Sequence, residues 1–210
     1  MALDLRNCDC MELMKQFPDK HFDLAIVDPP YGVDMSNKIN SVTGGVKFDS
    51  KDWDKSIPDK TYFNELFRVS KNQIVWGGNY MTEFLPQKPC WIVWDKNNGD
   101  SLFADAELAW TSFDTPIRLA KIHWCGSAAI HETGANKIHP TQKPIKLYKW
   151  ILDKYAKKNM KILDTHLGSG SIAIACHEYK FDLTGSELDT DYYNALMKRV
   201  QNYVAQQSLF

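Results

Sequence analysis

The second half of the chain alternates strand and helix with short links, and this order constrains the fold more than any other feature. Met160–Leu163 reads as a strand. A glycine-rich turn follows, then a helix over Ser171–Tyr179, a strand over Phe181–Gly185 and a last helix from about Thr190 to Val204. Links this short in β–α–β–α order demand parallel strands, and right-handed crossovers then set helices on both faces of one open sheet. The first half agrees. Phe22 to Val27 is an apolar run ending at a Pro-Pro turn, as expected of a strand buried on both faces. A strand over Ala2–Arg6 and a short helix over Cys10–Phe17 precede it. Asp59 is placed to cap a helix reaching Val69, with Tyr62, Phe63, Leu66 and Phe67 on one face. Gln73–Trp76 and Trp91–Trp94 are further strands, while Glu107–Ser112 and Ile117–Trp124 alternate with period two and read as an antiparallel pair. Pro144 opens a helix where its missing N–H costs nothing, with Ile145, Tyr148, Ile151, Leu152 and Tyr155 as the apolar stripe. Residues 32–58 and 96–105 are polar, poorly periodic and read as loops.

The 210 residues, 44% hydrophobic and 24% charged, suit one sizeable core, so residues 1–210 are expected to form a single domain. No run approaches the ~20 apolar residues of a membrane span, and Met1–Arg6 lacks the apolar stretch of a signal peptide. Cys8, Cys10, Cys90, Cys125 and Cys176 form no paired framework and no zinc-type spacing. The expectation is a cytoplasmic protein with reduced thiols and no metal centre. Net charge is −1, which alone argues against a nucleic-acid partner, but it is unevenly spread. From Lys137 to Lys161 there are eight lysines and one acid, Asp153. A local excess of this kind is the footprint a polyanion would need, although a solvated helix face has the same composition.

Two motifs carry chemistry. Gly168, Gly170 and Ala173 fit G-x-G-x-x-A between a strand and a helix, where glycines permit a tight turn and close approach of a ligand. Glu187, nineteen residues past Gly168 and just after the next strand, is placed to accept the ribose hydroxyls of a nucleoside. Asp164, at the strand end before the glycines, would repel a pyrophosphate and suit a cationic amine or sulfonium. That favours S-adenosylmethionine over NAD.

The second motif, Asp28-Pro29-Pro30-Tyr31, follows the buried strand at the sheet edge where open α/β folds bind ligands. Consecutive prolines hold the backbone extended and remove two donors. The Asp28 carboxylate and the Pro29 carbonyl can then present two acceptors to an exocyclic NH₂. Tyr31 offers a flat face for a base, worth ~1–3 kcal/mol. An aromatic amine is a poor nucleophile because its lone pair is conjugated into the ring. Two acceptors favour a pyramidal nitrogen and free that pair for in-line attack on a sulfonium methyl.

With these residues the chain resembles the DNA amino-methyltransferases, which make N6-methyladenine or N4-methylcytosine from S-adenosylmethionine. The order Asp28-Pro29-Pro30-Tyr31, then His139-Pro140-Thr141-Gln142-Lys143-Pro144, then the glycine turn resembles the permuted beta group of that family. The resemblance runs from about Asp9 to Asp189. It implies a Rossmann-like methyltransferase sheet, mostly parallel with an antiparallel edge. It implies Asp9 at the cofactor adenine, Gly168 and Gly170 along the methionine, and Glu187 with Leu188 beside it at the ribose. Thr141 and Lys143 would hold the cofactor carboxylate, and Asp28 and Asp164 would border the same site. Val75–Tyr80 resembles a further family stretch near the pocket. The family often has Asp-Pro-Phe before its glycines; here Asp164-Thr165-His166 stands instead, leaving His166 as a packing substitute or a proton shuttle.

The implied activity is N6-adenine methylation of double-stranded DNA on a flipped-out base, since the amine is unreachable in the stack. Asp in the first motif position is the usual adenine form in that family; N4-cytosine methylation is the alternative. An RNA or protein-amide methyltransferase shares the pocket logic but not the motif order. An NAD-linked oxidoreductase fits the glycine turn and Glu187 but leaves Asp28–Tyr31 without a purpose. An inactive nucleic-acid-binding module is the third reading. Residues 32–58 and 96–138 are the stretches available for target recognition, which implies a short site, a second subunit in a homodimer, or loose specificity. Lys137, Lys146 and Lys149 are candidate backbone contacts, and Trp110, Arg118, His123, Trp124 and His131 candidate base contacts. The family resemblance also implies a bacterial or phage-encoded enzyme of restriction-modification type.

Overall fold

The computed structural model describes residues 1–34, 54–99, 104–124 and 137–207. Eight strands form one sheet in the order β1-β8-β7-β2-β3-β5-β4-β6. They are β1 Leu3–Asn7, β2 Phe22–Val27, β3 Ser70–Trp76, β4 Trp91–Asp95, β5 Ala106–Thr111, β6 Arg118–Lys121, β7 Lys161–Asp164 and β8 Asp182–Glu187. The helices are α1 Cys10–Met14, α2 Lys60–Val69, α3 Ile145–Tyr155, α4 Ser171–Tyr179 and α5 Thr190–Gln207. Among the described residues no helix is long and apolar enough to cross a membrane.

The central strands alternate between two cores. Leu24, Ile26, Ile74 and Trp76 pack with residues of α3, α4 and α5 on one face. Phe22, Ala25, Val27 and Val75 pack with residues of α1 and α2 on the other. Side chains of a strand point alternately to the two faces, so a strand covered on both sides must be apolar where it is covered, as β2 is from Leu24 to Val27. Asp59 caps α2, its carboxylate accepting the Thr61 and Tyr62 N–H groups. Pro144 sits one position earlier than expected, as the extended cap residue before Ile145. α1 ends at Met14, four residues before Pro18.

The expected pairing of 107–112 with 117–124 does not form. β5 lies between β3 and β4, antiparallel to both, and β6 pairs parallel with the far side of β4. With both its edges taken, β5 has none left for β6. The antiparallel strand is therefore interior, and the sheet edge expected to be antiparallel is parallel. Within 96–138, two stretches belong to this sheet; of the expected recognition segments, residues 35–53, 100–103 and 125–136 lie outside the described residues.

The topology fixes where a ligand can sit. β7 leads through α4 on one face to β8, while β2 leads through α2 on the opposite face to β3. β7 and β2 are neighbours whose connections diverge, which opens a crevice at their carboxyl ends. Asp28 follows β2 and the glycine turn follows β7, so the two motifs meet at that crevice.

Candidate active site

A cavity of about 710 Å³ occupies the crevice. Of the residues singled out in the sequence, it is lined by Asp9, Asp28, Pro30, Thr141, Lys143, His166, Gly168, Glu187 and Leu188. Pro29, Tyr31, Asp164 and Gly170 are not on its wall.

At the glycine end, Gly168 (φ 51°) and Gly170 (φ 70°) take left-handed conformations that an L side chain rarely adopts. The Gly168 N–H donates to Glu187 Oε2 at 2.8 Å, and the Asp189 N–H donates to Oε1 at 3.0 Å. Each carboxylate oxygen keeps a second acceptor site, and burial pushes the carboxyl above its ordinary range. Asp9 caps α1 by accepting the Met11 N–H at 2.7 Å and also borders the cavity. Leu188, 68% exposed, supplies an apolar rim. The His139–Lys143 loop closes one side. His139 stacks edge-on against Tyr192 and its Nδ1 accepts the Thr141 N–H and hydroxyl at 3.3 and 3.1 Å.

Behind the turn, Tyr62 Oη, Thr165 Oγ1 and His166 Nδ1 form a chain with links of 2.7 and 2.9 Å. Burial pushes His166 down to about 4, so its ring is neutral at pH 7 and tied at Nδ1. Its Nδ1 is held inside the protein by Thr165 while the residue also borders the cavity.

Asp164 is almost fully buried and accepts the His166 N–H at 2.9 Å. Burial, opposed by that hydrogen bond, lifts its carboxyl to about 8. Against an unfolded value near ~3.9, the native state binds the proton more tightly. The stability this gives is therefore complete below about pH 4 and lost as pH rises through about 8. Asp164→Asn keeps the acceptor without the charge. Urea denaturation should show the wild type losing stability relative to this variant between pH 5 and 8, by roughly 2–4 kcal/mol. A pH-independent difference would show that Asp164 is not the buried group that titrates.

At the other end, Asp28 is held on both oxygens. The Tyr31 hydroxyl donates to Oδ1 at 2.6 Å and the Lys143 ammonium to Oδ2 at 2.6 Å. Asp54 fixes the loop by accepting the Tyr31 and Gly32 N–H groups at 2.7 and 3.0 Å. Tyr31 stacks on Tyr80 with ring centroids 5.3 Å apart, so the aromatic plate is a pair of tyrosines. Lys143 is buried, lies over the Trp76 ring and is 3.2 Å from Glu107 Oε2, while Lys96 pairs with Glu107 Oε1 at 2.7 Å. Burial lowers Lys143, but Asp28 and Glu107 outweigh it and keep the ammonium charged. Burial raises Asp28 against the pull of Lys143. Burial also works to raise Glu107, yet the two lysines hold it at about 2.

Lys143, expected at a cofactor carboxylate, is thus engaged by Asp28 and Glu107. Tyr80 ends the Val75–Tyr80 stretch, whereas Glu107, Lys96 and Asp54 lie outside the motifs. Only Glu107 left a trace in the sequence: at period two it shares a strand face with Ala109 and Thr111, both buried, where a lone acid requires a partner. Lys149 is paired with Glu178, which draws it away from a DNA-contact role, while Lys137 lies over the Trp124 ring and Lys146 projects from the exposed side of α3. Trp110 and Trp124 are buried and donate to the Pro86 and Gln142 carbonyls, so they are core rather than base contacts. Arg118 and His123 are exposed; His131 lies outside the described residues.

The charge of the wall selects the ligand. Four carboxylates (Asp9, Asp28, Glu187, Asp189) face the cavity against one ammonium, Lys143, which Asp28 already engages. A pyrophosphate would be repelled here, whereas a nucleoside carrying sulfonium and ammonium groups fits.

Comparison with known proteins agrees. A family model described as DNA methylase matches residues 121–198. The type II methyltransferase M.HinfI of Haemophilus influenzae is 27% identical over 241 residues, covering 92% of this chain and 67% of that protein. Among solved structures, the M1.HpyAVI–SAM complex superposes with a TM-score of 0.61 at 17% identity, over 94% of this chain and 100% of that one. PvuII DNA methyltransferase, cytosine-N4-specific, gives a TM-score of 0.61 at 14% identity, over 98% and 91%. At such identities the structural likeness speaks for the fold, a Rossmann-like methyltransferase sheet.

Proposed function

We propose that this chain, an S-adenosylmethionine-dependent DNA methyltransferase of the N6/N4 family, methylates the N6 amine of an adenine flipped out of duplex DNA. The observation that carries the reading is the cavity itself. Its wall runs from the Gly168–Glu187 hydrogen bond to the Asp28 carboxylate and, among the described residues, sets four carboxylates against one ammonium.

Asp9, Glu187, Leu188 and the Gly168 backbone would hold S-adenosylmethionine, which supplies an electrophilic methyl on a sulfonium. The remaining chemistry belongs to the chain. Asp28 and the Pro29 carbonyl accept the two amine N–H bonds and orient the nitrogen lone pair toward the methyl. Tyr80, half exposed and stacked on Tyr31, would offer the outer face of the pair to the extruded base. With the methyl donated by S-adenosylmethionine, whose sulfur would take up the electron pair of the broken bond, Asp28 would accept the surplus proton from the amine nitrogen or pass it to water. Positioning supplies most of the acceleration, because one molecule holds both reactants. Lysines of the 137–161 segment, the exposed Lys146 and the half-buried Lys137 among them, are placed for phosphate contacts.

Adenine is preferred because the motif begins with Asp; the cytosine amine carries the same two donors, and a cytosine-N4-specific enzyme shares the fold. Incubation with tritiated S-adenosylmethionine and mixed-sequence duplex, followed by nucleoside chromatography, separates them. Label in N6-methyladenine is the expected result. Label in N4-methylcytosine moves the target base, and no label on any DNA refutes the activity. A parallel titration with NAD should produce no binding heat.

A further inference from the structure

The motifs account for Asp28 and Lys143 but not for Glu107, which joins them from β5, a strand outside every motif. The four charges Asp28, Lys143, Glu107 and Lys96 form one chain along the carboxyl edge of the parallel strands. Lys143 stands between two carboxylates, 2.6 Å from Asp28 and 3.2 Å from Glu107, with its side chain 2% exposed. Glu107 Oε2 is buried and has no well-formed hydrogen bond of its own.

This arrangement answers a difficulty in the proposed reaction, on which the inference rests. Each Asp28 oxygen already accepts one hydrogen bond, from Tyr31 and from Lys143, so the incoming amine must share the carboxylate with them or displace one. An ammonium pulled off its only partner inside a water-poor site would be left uncompensated. We propose that Glu107 is a positioning residue. It offers Lys143 a second carboxylate, so that Asp28 can release the ammonium and take the target amine without leaving a buried charge unpaired. Lys96, 2.7 Å from the other Glu107 oxygen and 5.3 Å over the Trp94 ring, keeps Glu107 ionised and aimed.

The role has a signature that simple structural support lacks. Asp28 is faced by Lys143 from the His139–Lys143 loop, Glu107 from β5, Asp164 from β7, and the phenols of Tyr31, Tyr62 and Tyr148. Glu107→Gln deletes one negative charge from that set and leaves Asp28 as the carboxylate that compensates Lys143. Asp28 then ionises more easily but releases Lys143 less readily.

The test compares wild type with Glu107→Gln and Glu107→Asp, each checked for folding by thermal melting. The expected result for Glu107→Gln is a kcat about tenfold lower, a raised KM for DNA and unchanged S-adenosylmethionine affinity. The acid limb of its pH–rate profile moves down by about one pH unit. Glu107→Asp, which keeps the charge, returns the limb toward its wild-type position. A Glu107→Gln enzyme with wild-type rate and an unmoved limb overturns the proposal. So does a rate loss that merely tracks the folded fraction. Full activity in Asp28→Asn, or an inert wild type, instead strikes the methyl-transfer reading and takes this role with it.

Discussion

Asp28→Asn should lower methyl transfer by about 10²–10³-fold while leaving the S-adenosylmethionine dissociation constant within about threefold. The asymmetry follows from where Asp28 sits. It borders the cavity at the end remote from the Gly168–Glu187 pair, which forms the nucleoside seat. Asn keeps the size and one acceptor oxygen but replaces the other with a donor. That NH₂ would face either the Tyr31 hydroxyl or the Lys143 ammonium, both of which now donate to Asp28. The acceptor frame for the amine is lost, and Glu107 becomes the carboxylate partner of Lys143. Equilibrium dialysis with the labelled cofactor and single-turnover methylation measure the two quantities separately. Loss of both together would relocate the cofactor against Asp28. Retention of both would remove Asp28 from the chemistry.

Some of this was readable in the sequence and some was not, for identifiable reasons. β2 and β7 carry short apolar runs that end at turns, and β8 follows the β7–helix unit after a short link, so local pattern suffices to place these strands. The glycine turn and Asp28–Tyr31 are contiguous, so their local conformation is encoded where they stand. Their meeting at the β2–β7 crevice follows from strand order, which short β–α–β links restrict strongly. The partner of β5 did not follow, because period-two alternation marks a strand but not its neighbour. Trp110 and Trp124 looked available for bases because an indole's polar edge does not reveal that a carbonyl within the protein satisfies it. Lys143 was expected at the cofactor, and the acid that helps engage it is thirty-six residues away in the chain. Periodicity marks Glu107 as facing the core but not its partner, and the bond from the Tyr31 N–H to Asp54 joins residues with no local pattern between them, so Asp54 was invisible.

The largest structural effect should come from Gly77→Ala, far in sequence from either motif. Gly77 follows β3 with φ +66°, a left-handed conformation that costs an L residue roughly 1–2 kcal/mol. A Cβ at that position would lie 2.1, 2.4 and 2.7 Å from three atoms of the Tyr31 ring, closer than any real contact allows. The ring has little freedom to yield, since it stacks on Tyr80 and its hydroxyl holds Asp28 at 2.6 Å. Backbone strain and overpacking together should destabilise the protein by about 2–4 kcal/mol, or a fall in Tm of roughly 5–15 °C. Folded Gly77→Ala should transfer methyl groups about 10²-fold more slowly, because a displaced Tyr31 releases the carboxylate it orients. Cofactor affinity should hold, since the Gly168–Glu187 end is untouched. The double variant Gly77→Ala/Tyr31→Ala separates the two contributions. With the ring gone the clash disappears, so adding Gly77→Ala to Tyr31→Ala should cost little beyond the left-handed backbone strain. If Gly77→Ala costs as much without the Tyr31 ring as with it, the close packing of Tyr31 on this glycine is not what shapes the amine-binding end of the site.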